Sequence, residues 1–300
     1  MPQCKPFAVS VPASSANLGP GFDAVGIALD LRLLARVRPA KAFSLRFSGE
    51  HAPSHDGYES LIVGAMRRVH RELPKVAVEV ENPIPLGKGL GSSAAASVLG
   101  LAIAMRARGM KLDRDALARE ACAIEGHPDN ALAAVYGGAV IAASACPSEC
   151  VRLGAPEGLR AIVVVPEIDL STEAARALLP DRYDRCDMVF TAQRASLLGA
   201  ALGSGSWKAL RAAMRDRMHQ PYRAQCVPGL EGALGVDGRD VVGIALSGAG
   251  PSVLAIVRGG KSADAVGGRI EAQFRDAGVK ARSYRLAFAA RGAGVWGLTA

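Results

Sequence analysis

The chain has 300 residues, half of them hydrophobic and only 5% aromatic, and carries a formal charge of +8 at pH 7. Single cores stop growing near roughly 250–300 residues, so a globular chain of this size is expected to divide into two sub-domains. The cationic side chains are scattered, and the densest patch, "MRRVHRELPK", is interrupted by Glu72, which argues against nucleic acid and for a solvated basic surface or an anionic small substrate.

The opening "MPQCKPFAVSVPASS" lacks the apolar run of a signal peptide, so none is expected. "FAVSVPASSANLGPGFDAVGIALDL" alternates into a strand, breaks at Ser-Ser-Ala-Asn-Leu-Gly-Pro-Gly and resumes as an apolar strand through Val25–Leu31. "LIVGAMRRVHREL" sets Leu61, Ala65, Val69 and Leu73 at helical spacing, and "VAVEVENPIP" alternates at Val76, Val78 and Val80 as a half-buried strand. That strand feeds the loop "PLGKGLGSSAA". Behind it, "SSAAASVLGLAIAMRAR" reads as a helix capped by Ser92 or Ser93 and closed by Arg106 and Arg108 before Gly109.

"ALAAVYGGAVIAASAC" is apolar but too short to span a bilayer and carries a Gly-Gly pair, so no membrane segment is expected. The six cysteines, Cys4, Cys122, Cys146, Cys150, Cys186 and Cys226, are too few for a disulfide framework in so long a chain. The close pair Cys146 and Cys150 has no second Cys/His pair for zinc, so reduced thiols of a cytosolic protein are expected. Beyond Pro147, "LRAIVVVPEIDLSTEAARALLP" reads as a strand and a Ser/Thr-capped helix, and amphipathic stretches fill 187–218. "DVVGIALSGAGPSVLAIV" then gives strand, glycine turn, strand, and "SADAVGGRIEAQFRDAG" with "VKARSYRL" gives helix, strand. This β-α-β-β-α-β rhythm suggests a ferredoxin-like second half and a division into 1–155 and 156–300.

The loop from Pro85 to Ala95 concentrates Gly87, Gly89 and Gly91 at alternate positions. It fits neither the Gly-x-x-x-x-Gly-Lys-Ser/Thr order, because Lys88 precedes Gly89, nor the dinucleotide pattern, because Ser92 stands where a third glycine would fall. The physics of anion binding survives: glycines let the main chain approach an oxyanion, and the following helix presents its positive end. A sterically required turn is the competing explanation.

In order along the chain, "PASSANLGPGFDAVGIALDL" (Pro12–Leu31), this loop and "GIALSGAGPSVLAIV" (Gly243–Val257) resemble the three motifs of the GHMP kinase superfamily. "SANLGPGFD", "EGHPDN", "STEAARALLP" and "HQPYRAQCVPG" resemble its homoserine kinase branch more than the galactokinases or mevalonate kinases. The resemblance implies an α+β, two-domain fold, with an N-terminal domain like the second domain of ribosomal protein S5 and a ferredoxin-like C-terminal domain. It further implies a cytoplasmic, homodimeric enzyme of threonine biosynthesis that uses ATP and Mg²⁺ to phosphorylate L-homoserine, with no nucleic-acid or membrane partner. A mevalonate- or galactose-type kinase and a non-catalytic binding relative stay open as alternatives.

By the same resemblance, Pro85, Leu86, Gly87, Lys88, Gly89, Leu90, Gly91, Ser92, Ser93, Ala94 and Ala95 cradle the phosphates. Ser93 and an acid, Glu125 or its rival Glu120, hold Mg²⁺, and Thr172 reaches the metal through water or else caps its helix. Homoserine needs an anionic partner for its ammonium, for which Asp23 and Asn17 fit, and cationic forks for its carboxylate, for which Arg176 and Arg223 fit. His127 would contact substrate and Asn130 its hydroxyl. Asparagine takes no proton at neutral pH, so direct transfer without a side-chain base is expected. The turn from Gly248 to Ser252 would close over the loop. Ser60 departs from the branch, which commonly has asparagine there near the adenine.

Overall fold

The computed structural model describes residues 5–52, 56–144, 146–259 and 262–298, so Cys4 lies outside the described residues. The first half comprises β1 (Phe7–Asn17), β2 (Gly21–Pro39), β3 (Ser44–Ser48), α1 (Asp56–Val69), β4 (Val76–Glu81), α2 (Ser92–Ala107), α3 (Arg114–Glu125), α4 (Pro128–Tyr136), β5 (Ala139–Ala142) and β6 (Cys150–Leu153). The second comprises β7 (Leu159–Pro166), α5 (Thr172–Ala177), α6 (Arg185–Ser204), α7 (Trp207–Ala213), α8 (Gln220–Ala224), α9 (Leu230–Gly235), β8 (Val241–Leu246), β9 (Val253–Arg258), α10 (Ser262–Asp276), β10 (Ala281–Leu286) and β11 (Gly294–Gly297).

The first sheet runs β11-β1-β2-β4-β3, with β5 and β6 attached to the early part of β2. Strand β2 is long enough to serve two neighbours: Val25–Ile27 pair with β5 and Leu34–Pro39 with β4. Its ladder with β1 slips at Pro12, which has no N–H to give and sits at a bulge. The hairpin turn is tighter than its sequence suggests, because β1 stays extended through Asn17 and the chain reverses over Leu18, Gly19 and Pro20 alone. The second sheet is antiparallel in the order β10-β7-β9-β8, which is the ferredoxin-like arrangement. Its first crossover carries α5 to α9 in place of one helix.

The expected division at residue 155 needs a correction. β7 opens the second sheet at Leu159, but β11 leaves the second half and pairs with β1, so the end of the 156–300 segment belongs to the first sheet. Arg32 pins this return, donating to the carbonyls of Arg291 (3.0 Å) and Gly292 (2.8 Å).

Helix α2 is the axle of the first half. Every residue from Ala94 to Met105 is buried, as a helix apolar on all sides must be. Small residues let α1 lie close: a Cβ on Gly100 would stand 2.3 Å from the Ile62 carbonyl and 3.0 Å from the Ala65 methyl. Gly100→Ala should therefore destabilise the fold by about 1–3 kcal/mol through overpacking, although alanine favours an isolated helix by about 1 kcal/mol. Denaturant unfolding checks this, and a stabilised variant would mean that α1 yields freely.

Candidate active site

The hairpin between β1 and β2 is strained where it meets the rest of the molecule. Asn17, Leu18 and Asp23 have φ of 71°, 47° and 54°, and they are the non-glycine residues with positive φ among those described. Such conformations cost of order 1–3 kcal/mol each and persist where neighbours over-determine them. Asn17 does so here: Nδ2 donates to the Gly248 carbonyl (2.8 Å), and Oδ1 accepts from the Asp23 amide (3.0 Å).

Gly87, Gly89 and Gly91 all have positive φ, for different reasons. A Cβ on Gly89 would lie 2.1 Å from the Ser247 carbonyl oxygen, and one on Gly91 2.1 Å from Ser14 Oγ, so the protein's own packing requires these two. A Cβ on Gly87 would meet nothing within 4 Å and would point into open space. Gly91, in the left-handed region, is also the N-cap of α2, in place of the serines expected there. No side chain caps this end and no acid of its own stands in its first turn, so its free N–H groups open towards the cleft.

A cleft of about 390 Å³ opens between this helix end and the second sheet. Leu86, Gly87, Gly89, Leu90, Gly91, Ser92 and Ser93 form its loop wall. Four residues expected in that wall are absent from it. Pro85, Ala94 and Ala95 are buried behind it. Lys88 turns its ammonium away, onto the Ile168 carbonyl (2.6 Å) and Asp169 (2.8 Å), and so ties the loop to the segment before α5.

The two glutamates separate cleanly. Glu125 Oε1 accepts from Ser93 Oγ and Ser97 Oγ, both at 2.9 Å, and Glu125 lines the cleft. Burial pushes its carboxyl above the ordinary 4.5 against the pull of both serines. Glu120 points outward and pairs with Arg68 at 2.9 Å. Thr172 lines the cleft, while Ser171 caps α5 by accepting from the Ala174 amide.

At the other end, Arg176 grips Asp23 with two hydrogen bonds, 2.6 and 2.9 Å. Arg223 is only 1% exposed, and its Nε donates to the Ala175 carbonyl and its Nη1 to the Gly248 carbonyl. Burial, then the charge of Arg176, lowers its pKa to about 10. His127 Nδ1 meets the buried Asp129 carboxylate at 2.7 Å, which raises the imidazole's pKa. The same oxygen accepts from the Asn130 amide, and Asn130 Oδ1 accepts from Ser14 (2.9 Å).

Asn17, Asp23, His127, Asn130, Thr172, Arg176 and Arg223 thus line one cleft with Ser93 and Glu125. Four contributors were not anticipated. Tyr58 donates to the Ser92 carbonyl (3.0 Å), Phe22 lies against both arginines, Asp129 orients His127, and Ser14 holds Asn130. Ser14, Phe22 and Asp129 lie inside the quoted motifs, whereas Tyr58 carried no signal.

The chain matches the GHMP kinases N terminal domain over residues 60–138 and the GHMP kinases C terminal region over 198–276. It is 40% identical over 256 residues to a homoserine kinase of Solibacter usitatus, covering 83% of this chain and 84% of that one. It is 42% identical over 263 residues to a homoserine kinase of Thermus thermophilus, covering 85% and 88%. The crystal structure of homoserine kinase from Cytophaga hutchinsonii superposes with a TM-score of 0.82 at 25% identity, covering 97% of this chain and 98% of that one.

Because folded Glu125 holds its proton more tightly than the unfolded chain does, its burial favours the fold below pH 4.5, and that advantage fades as pH rises through the folded pKa. Glu125→Gln keeps an acceptor for both serines and removes the charge. Without divalent cation, it should melt higher than the parent at pH 7, with the gap closing towards pH 4.5. Calorimetric scans showing an unchanged or lower Tm at pH 7 would contradict a destabilising carboxylate.

Proposed function

The chain belongs to the GHMP kinases, and on that premise we propose that it transfers the terminal phosphoryl group of ATP to the hydroxyl of L-homoserine, giving ADP and O-phospho-L-homoserine. The observation that carries the reading is the polarity of one cleft. Uncapped helix N–H groups and an open glycine lie at one end, and the Asp23–Arg176 pair with Arg223 lies at the other. The reaction is a step of threonine biosynthesis, and the free thiols at Cys122, Cys146, Cys150, Cys186 and Cys226 fit a cytoplasmic enzyme.

Phosphoryl transfer asks the protein for positioning and charge neutralisation. The backbone from Gly87 to Ser93 approaches the phosphates. The hard oxygens of Ser93 and Glu125 suit Mg²⁺, and Glu125 Oε2 has no hydrogen-bond partner among the described residues. Bound there, with Thr172 reaching it through water, Mg²⁺ would neutralise charge on the transferring group and the departing ADP.

The acceptor's zwitterion replaces an ion pair already in place: its ammonium takes the Asp23 carboxylate and its carboxylate takes Arg176 and Arg223. Asn17 carries Asp23 in position, and His127, held by Asp129, faces the same end. A neutral sugar cannot compensate for parting Asp23 from Arg176, and mevalonate brings no ammonium. Asn130, whose oxygen accepts from Ser14, takes no proton at neutral pH, so the leaving proton passes to phosphate or solvent.

An ADP-release assay across homoserine, mevalonate, galactose and no acceptor tests this reading. Turnover should appear with homoserine alone, and turnover equal to the no-acceptor blank would remove it. Arg176→Ala should lower homoserine kcat/KM by at least about 25-fold with ATP KM little changed. Gly87→Ala adds a methyl in open space at positive φ, so it should weaken ATP binding about ten-fold in calorimetry while the fold persists. Unchanged affinity would return Gly87 to a turn residue.

A further inference from the structure

Arg223 can serve a ligand only if something holds it, and its Nη1 also meets His219 Nδ1 at 3.1 Å. A guanidinium has donors only, so the ring nitrogen facing it must be an unprotonated acceptor. The other nitrogen, Nε2, lies 2.8 Å from the Gly19 carbonyl, which can only accept. Two independent partners therefore select the same state of the ring, the neutral Nε2–H tautomer. Arg223 Nη2 has no hydrogen-bond partner among the described residues, and Arg223 lines the cleft.

The surroundings maintain that state. His219 is fully buried. Asp216 stands 3.5 Å from Nε2, and its carboxylate accepts the amides of Met218, His219 and Gln220, fixing the turn into α8. Phe22 packs on the imidazole at 5.3 Å and lies under both guanidiniums, at 5.4 and 5.5 Å. Burial outweighs the pull of Asp216 and, with the repulsion of Arg223, lowers the imidazole's pKa. A charged ring would set a donor against a guanidinium.

We propose that His219 is a positioning residue for acceptor recognition: hung from the Gly19 carbonyl of the first hairpin, its Nδ1 holds Arg223 so that the unpartnered edge of the guanidinium faces the cleft. The proposal rests on the reading that the acceptor carries a carboxylate. It makes specificity depend on a contact between the two halves of the chain, since Gly19 belongs to the β1–β2 turn and Arg223 to α8.

Two substitutions divide the functions of the ring. His219→Asn places a carbonyl oxygen near the Nδ1 position and keeps an acceptor for Arg223. His219→Gln keeps a donor reaching towards Gly19 and loses that acceptor. A hydrogen bond to a charged group is worth enough that His219→Gln should raise homoserine KM about ten-fold or more, with kcat and ATP KM within about two-fold of the parent. His219→Asn should stay within about three-fold in all three. Equal KM increases in both variants, or losses spread over kcat and both KM values, would make His219 a packing residue and overturn the proposal. Long-range ¹H–¹⁵N NMR of the parent protein provides a test independent of folding in the variants: Nε2 should carry the proton and Nδ1 none at pH 7, and a protonated Nδ1 overturns the proposal. Parent turnover with homoserine is read in the same assays, so failure of the kinase reading is distinguishable from failure of this one.

Discussion

The two sheets meet through main chain, and the geometry of the cleft follows from that. The Gly248 amide donates to the Ala16 carbonyl at 3.0 Å, Asn17 returns a bond to the Gly248 carbonyl, and Ser247 Oγ donates to the Gly89 carbonyl at 2.7 Å. Three distant segments are thereby joined by one backbone–backbone bond and two side-chain bonds to main-chain carbonyls, at a spacing that excludes a Cβ on Gly89. The glycine loop is thus held by the second half of the molecule, and a ligand that docks against it meets a wall already shaped by the protein's own packing.

Charge is arranged around this junction in opposing ways. Glu125 at one end and Arg223 at the other are each disfavoured by burial, and each leaves part of its polar group unpartnered. Asp23 and Arg176 satisfy one another beside Arg223. A ligand that brings complementary charge relieves the two buried groups and substitutes for the pair, so binding energy is drawn from groups the fold tolerates at a cost to its own stability.

How much of this could be read in the sequence depended on whether the deciding physics was local. The alternation of Val76, Val78 and Val80, the Ala/Leu run of α2 and the Ser171 cap rest on near neighbours and were legible. Glu125 and Glu120 were not separable, because five residues turn a helix by about 140° and only packing against α2 says which side is inside. Lys88 looked like a phosphate ligand because its partners, Ile168 and Asp169, lie far along the chain. Gly91 displaced the serines as N-cap because a left-handed residue was needed where Ser14 and Asn130 crowd the backbone. His219 stands one helical turn before Arg223, a spacing that hints at contact, but its meaning needed Gly19 from the other half.

The return of β11 to β1 sets an order in time. β1 leaves the ribosome long before β11, the strand that covers one of its edges. At roughly 5–20 residues per second, that edge stays open for tens of seconds during synthesis. Throughout that interval the N–H and C=O groups of Phe7–Ser10 on that edge are unpaired, the condition under which strands pair with the wrong partner. The first sheet, although begun before the second, is completed only after it.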